Sequence, residues 1–80
     1  MRLDKFLKTA RLIKRRTIAN QAAGAGRVVV NGRTAKPSTQ IKEGDVIEIS
    51  YGKDISKVRV LNAGGHSTKQ GAGDLYEMIE

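Results

Sequence analysis

Seven cations, Lys5, Lys8, Arg11, Lys14, Arg15, Arg16 and Arg27, fall in a stretch where Asp4 is the sole acid, and cations grouped in this way hold phosphates. Ten Lys or Arg against one Asp give the first thirty-six residues a charge of +9. Five bases and seven acids give the remaining forty-four −2, and the two sum to the chain's +7. Ordinary soluble surfaces interleave the two signs. Like charge crowded at one end of a small domain repels itself, and a polyanion offsets that cost by releasing its counterions. Arg15 and Arg16 immediately precede Thr17, which reads as the N-cap of a helix. A helix N-terminus already favours phosphate through its dipole and unpaired N–H groups, and arginine adds a bidentate geometry that lysine lacks.

Chemistry that makes or breaks bonds finds no convergent set of groups. The chain has no cysteine, so a disulfide, a thiolate nucleophile or a thiolate metal site is excluded. Its one histidine, His66, lies in a glycine-rich stretch, where the expected state is solvated and without a role. Glu43, Asp45, Glu48 and Asp54 fall in turns and on an exposed strand face, where they serve solubility better than a cation. Neither Gly24 with Gly26 nor Gly71 with Gly73 completes a dinucleotide fingerprint, and no triphosphate-binding loop occurs. The expectation is a non-catalytic domain without cofactor or metal. No signal core or membrane-spanning run is present, which leads to the expectation of a cytoplasmic protein that does not engage membranes. No large apolar surface demands a partner copy, so a monomer is expected.

The elements that must carry these cations follow from periodicity. Leu3, Phe6, Leu7 and Ala10 recur at i, i+3, i+4 and i+7, predicting a short helix whose other face bears Lys5, Lys8 and Arg11. A second helix is expected from the Thr17 cap to about Ala25, with Ile18, Ala22 and Ala25 sharing a face and Ala19 and Ala23 beside them, fraying or an early end at Gly24 and a left-handed cap at Gly26. Asn31-Gly32 between Val28–Val30 and Arg33–Ala35 predicts a tight hairpin. Val46 to Tyr51 reads as a strand with Ile47, Ile49 and Tyr51 on one face, turning through Gly52, Lys53 and Asp54 into a strand over Ser56 to Leu61. The fold class is α+β: two N-terminal helices packed on a small, twisted, mostly antiparallel sheet. Residues 1–61 are expected to form the RNA-binding domain and 62–73 a flexible glycine-rich loop. Residues 74–80 are expected to form a short segment docking on the domain, as a helical turn or a last strand. Helix two offers only Asn20 and Gln21 for reading bases, which favours backbone and shape recognition of structured RNA over a DNA operator.

Four linked motifs carry a family resemblance. They are Arg2-Leu3-Asp4-Lys5-Phe6-Leu7, Arg11-Leu12-Ile13-Lys14-Arg15-Arg16-Thr17, Gly26-Arg27-Val28-Val29-Val30-Asn31-Gly32 and Ile41-Lys42-Glu43-Gly44-Asp45-Val46-Ile47. In this order they resemble the S-four RNA-binding domain with its alpha-L motif, over residues 1 to about 52. Among stand-alone versions the chain is most similar to the RqcP-type factors of ribosome-associated quality control. The resemblance implies binding to large ribosomal subunits obstructed by a peptidyl-tRNA. It further implies contact with large-subunit rRNA and tRNA, a hold on the P-site tRNA, and support of C-terminal alanine tailing by an RqcH-type partner. By position it implies Arg2 and Arg16 as essential RNA contacts, Arg11, Lys14, Arg15, Arg27 and Lys36 as supporting ones, and Asp4 as an orienting group for a neighbouring arginine. Ala22 and Gly24 depart from the pattern and weaken helix two. Alternatives are a heat-shock-type factor recycling large subunits, a general DNA- or RNA-binding module, or a targeting module for a separate enzyme.

Overall fold

Leu3, Phe6, Leu7 and Ala10 are fully buried in the computed structural model, which describes residues 1–62 and 75–79; they line one side of α1 (Leu3–Thr9) and its C-cap. No side chain caps α1 at Arg2. Its first N–H groups are instead satisfied from a distance: Leu3 donates to the Thr39 carbonyl at 2.8 Å and Asp4 to the Pro37 carbonyl at 3.1 Å, while Lys5 donates to the Asp4 carboxylate at 2.7 Å. The 37–39 segment therefore fixes where α1 begins. At the other end, Arg11 N–H bonds the Lys8 carbonyl and Leu12 N–H the Leu7 carbonyl, the double closure of a Schellman motif. Arg11 takes the left-handed position there with φ 59°, a conformation costing a non-glycine residue about 1 kcal/mol or more.

The second helix, α2 (Arg16–Gly24), starts earlier than its sequence suggests: Arg15 is the N-cap and Thr17 lies inside the first turn. Its packed face is centred on the flanking alanines rather than on Ile18, Ala22 and Ala25. Ala19 and Ala23 are buried, whereas Ile18 is 48% exposed, Ala22 half-buried and Ala25 exposed. Small alanines let two short helices approach closely, and Ile13, in the connection between them, joins the core. Gly24 ends the helix, and Gly26 at φ +77° closes a second Schellman motif through Gly26 N–H to Ala23 and Arg27 N–H to Ala22.

Five strands follow: β1 (Val28–Val30), β2 (Arg33–Thr34), β3 (Val46–Tyr51), β4 (Asp54–Val60) and β5 (Tyr76–Ile79). The sheet order is β2-β1-β3-β4-β5 and every pairing is antiparallel. Asn31 and Gly32 form the two-residue turn of the first hairpin with φ 52° and 82°, as a type I′ turn requires. The β3–β4 turn is Gly52-Lys53, since Asp54 already pairs with Tyr51, so β4 begins two residues earlier than expected and ends at Val60. Ile47 and Ile49 share the buried face with Val28, Val30, Val58 and Val60. The C-terminal segment is a strand: β5 pairs with β4, and buried Leu75 accepts the N–H groups of Leu61 and Asn62. Apart from Asn62, the loop expected over 62–73 lies outside the described residues, as do His66, Asp74 and Glu80.

The return from β2 to β3 is tied down by side chains. Asn31 Nδ2 donates to Asp45 Oδ1 at 3.0 Å, Asn31 Oδ1 accepts from Val46 N–H at 3.0 Å, and Lys42 N–H donates to Asp45 Oδ2 at 3.0 Å. Asp45 is buried, and these bonds replace the water it loses.

Candidate nucleic-acid interface

One buried carboxylate organises the cationic surface. Asp4 lies in the first turn of α1 with its side chain 3% exposed. Its Oδ1 accepts from Arg2 Nε at 3.2 Å, Lys5 N–H at 2.7 Å and Arg16 Nη2 at 3.4 Å. Its Oδ2 accepts from Arg2 Nη2 at 3.3 Å and Asn20 Nδ2 at 3.2 Å. A carboxylate offers about four lone-pair sites, so five donors saturate it and leave nothing for a ligand. Burial on its own raises the Asp4 pKa. The Asn20 amide, the Lys5 N–H and the charges of Arg16 and Arg2 outweigh burial and hold the group below its ordinary 3.8. It is therefore an anion that brings two guanidinium groups together.

Those two arginines remain available. The Arg2 and Arg16 side chains are 46% and 48% exposed, so each engages Asp4 on one side and faces water on the other. A single negative charge between two positive ones leaves a net +1 at the point of closest approach. Arg16 and Asn20 stand at i and i+4, on the face of α2 turned toward α1, and Gly24 continues that line, with the Pro37 ring 4.0 Å from where its Cβ would be. The Asn20 amide, one of two base-reading candidates on α2, is thus partly committed to Asp4, which favours recognition of the nucleic-acid backbone.

The other expected contacts surround this pair unevenly. Arg15 is the α2 N-cap, Lys14 and Arg11 lie in the connection before it, and all three are exposed. Lys36 precedes Pro37, whose carbonyl caps α1, so it belongs to the same neighbourhood as Asp4. Arg27 does not: it follows the C-terminal cap of α2, and roughly 12 Å of helix separates Arg16 from Gly24. Among the described residues, no ion pair engages Arg11, Lys14, Arg15, Arg27 or Lys36. Residue types alone did not point to Asn20 as a brace; its i+4 spacing from Arg16 was the available signal. Among the described residues no group of three or more His, Cys, Asp or Glu could hold a metal, and no helix is long and apolar enough to cross a membrane.

Residues 1–47 match the S4 domain family model. The chain belongs to the S4 domain family. It is 47% identical over 79 residues to the "RQC P-site tRNA stabilizing factor" of Streptococcus pneumoniae, covering 99% of this chain and 90% of that protein. The factor of the same name from Bacillus subtilis is 41% identical over 80 residues, covering 100% and 93%. Among solved structures, the trimeric Heat Shock Protein 15 of Vibrio cholerae matches with a TM-score of 0.87 at 31% identity, covering 99% of this chain and 81% of that one. The S4 fold thus accounts for the helical pair, the hairpin and the start of β3, and the full-length relatives extend the likeness through β5.

Proposed function

We propose that this chain is a non-catalytic RNA-binding factor of ribosome-associated quality control. It binds large ribosomal subunits obstructed by a peptidyl-tRNA, touches large-subunit rRNA and tRNA together, and stabilises the tRNA in the P site. In doing so it supports C-terminal alanine tailing of the stalled chain by an RqcH-type partner. The observation that carries this reading is the pair of half-exposed arginines, Arg2 and Arg16, held side by side by buried Asp4. They are the essential phosphate contacts; Arg11, Lys14, Arg15, Arg27 and Lys36 support them, and residues 1–61 constitute the RNA-binding domain. The protein acts as a monomer in the cytoplasm, without a membrane partner. The names of its full-length relatives support the P-site role. Sedimentation on sucrose gradients tests it: the wild-type chain is expected to travel with free large subunits and Arg16→Ala to stay at the top. Equal sedimentation of the two would reject the assignment.

A second reading is a factor of the heat-shock type that recycles large subunits, favoured by the likeness to the Vibrio cholerae structure. A reconstituted tailing reaction separates the two, since only the first requires this chain for alanine addition.

A further inference from the structure

An open cleft of about 340 Å3 lies between the β1–β2 hairpin and the 39–42 segment. That is near the lower end of the roughly 300–1,000 Å3 found for small-molecule sites, room for about one nucleotide. Arg33 and Lys42 line it; both are exposed, and neither is in an ion pair with another described residue. Thr34, Thr39 and Gln40 add neutral hydrogen-bond donors. The acid in its lining, Asp45, is buried and has one oxygen bonded by the Asn31 amide and the other by the Lys42 N–H, whereas Arg33 and Lys42 are exposed. The same bonds fix the floor, as does the type I′ turn. No aromatic side chain among the described residues lines the cleft, so it lacks a stacking platform for a base. What it offers is addressed to a phosphate and its ribose.

The cleft adjoins the arginine pair. Gln40, in its lining, pairs with Arg2 in an antiparallel bridge, and the carbonyl of Thr39, also in its lining, caps Leu3 at the start of α1. The segment that forms one wall of the cleft is therefore the one that fixes the helix end where Asp4 gathers Arg2 and Arg16.

We propose that this cleft is a second phosphate site, in which Arg33 and Lys42 hold a backbone phosphodiester of the RNA gripped by Arg2 and Arg16. The inference rests on the RNA-binding reading above and extends its footprint onto the sheet. Affinity of the full chain for free large ribosomal subunits, measured over a salt series, tests it. Each neutralised phosphate contributes about 0.7–0.9 to the slope of log affinity against log salt, so Arg33→Ala/Lys42→Ala, which removes one phosphate contact, is expected to flatten it by about 0.7–0.9. The charge-matched Lys53→Ala/Lys57→Ala, on the β3–β4 turn and the solvent face of β4, is expected to leave it unchanged. Titration of the wild-type protein with inorganic phosphate supplies a readout independent of any variant. The backbone amides of Arg33, Thr34 and Thr39 to Lys42 are expected to shift saturably. Shifts confined to α1 and α2, or saturable cleft shifts with an unaltered slope in the double variant, would overturn the proposal. Arg16→Ala keeps the two readings apart. If it binds as wild type, the helical interface itself fails; if it weakens binding while the Arg33/Lys42 variant matches its control, only the cleft fails.

Discussion

The helical face and the outer face of the sheet use the same kinds of charged side chain in different proportions. Across β3, β4 and β5 two acid–base pairs face each other one to one: Lys57 with Glu48 at 3.9 Å and Arg59 with Glu77 at 2.7 Å, all four partly or largely exposed. Such pairs cancel locally and are screened by water, contributing about 0–1 kcal/mol each. On the helices one acid serves two arginines, and it is buried while they are not. Burial strengthens the hold on the cations, and the one-to-two ratio leaves a positive surplus. A phosphate can meet that surplus without first displacing a competing carboxylate. Net charge alone does not make such a surface; it also depends on where the neutralising acids sit.

Asp4→Asn strikes hardest at this contrast. Replacing the carboxylate sets an NH2 group against the donors of Arg2 and Asn20, and the expected loss in chemical denaturation is about 2–3 kcal/mol. The variant carries one more positive charge overall, so simple electrostatics predicts tighter RNA binding; loss of the brace predicts binding more than about tenfold weaker. The effect also has a pH signature. Because the folded pKa of Asp4 lies below 3.8, its contribution to stability is present above that pH and is lost as pH falls through the lower native value. The stability gap between wild type and Asp4→Asn therefore narrows below pH 3.8.

Arg11→Gly sharpens the comparison from the side of strain. Glycine accepts the left-handed conformation at this helix end, so the variant is expected to unfold at higher temperature, gaining about 0.5–1 kcal/mol, while its affinity for RNA falls. A stabilised variant with undiminished binding would remove Arg11 from the interface. On the sheet, Arg59→Ala is expected to change RNA affinity less than about twofold and stability by at most about 1 kcal/mol, as calorimetry and the same binding assay would show. Gly24→Ala has the smallest expected effect: a Cβ there meets Pro37 Cγ at ordinary contact distance, so α2 gains up to about 1 kcal/mol with binding unchanged.

Elements whose determinants are local could be read from the chain. The stripe Leu3, Phe6, Leu7 and Ala10, the Asn31-Gly32 turn, the alternation in β3 and the Gly26 cap each depend on neighbours a few residues away. The start and rotation of α2 could not, because the inner face of this helix carries alanines with no bulky side chain to mark it, and its large apolar residue, Ile18, faces water. A seven-residue tail has too few periods to distinguish helix from strand; the open edge of β4 and the pocket filled by Leu75 decide in favour of β5. For the interface, the cations were visible as a cluster and Asp4 as an orienting group. That the same carboxylate collects Arg2, Arg16 and Asn20 depends on how α1 and α2 pack, and α1 in turn is capped from residues 37–39.

The central claim is that Arg2 and Arg16, held by Asp4, grip RNA phosphates. The most direct measurement is the salt dependence of binding to free large ribosomal subunits by the wild-type chain and by Arg16→Ala. With about five phosphates neutralised, the wild-type slope of log affinity against log salt is expected at roughly −3.5 to −4.5, and shallower by about 0.7–0.9 in the variant. A wild-type affinity insensitive to salt, or identical slopes and affinities for the two proteins, would contradict it.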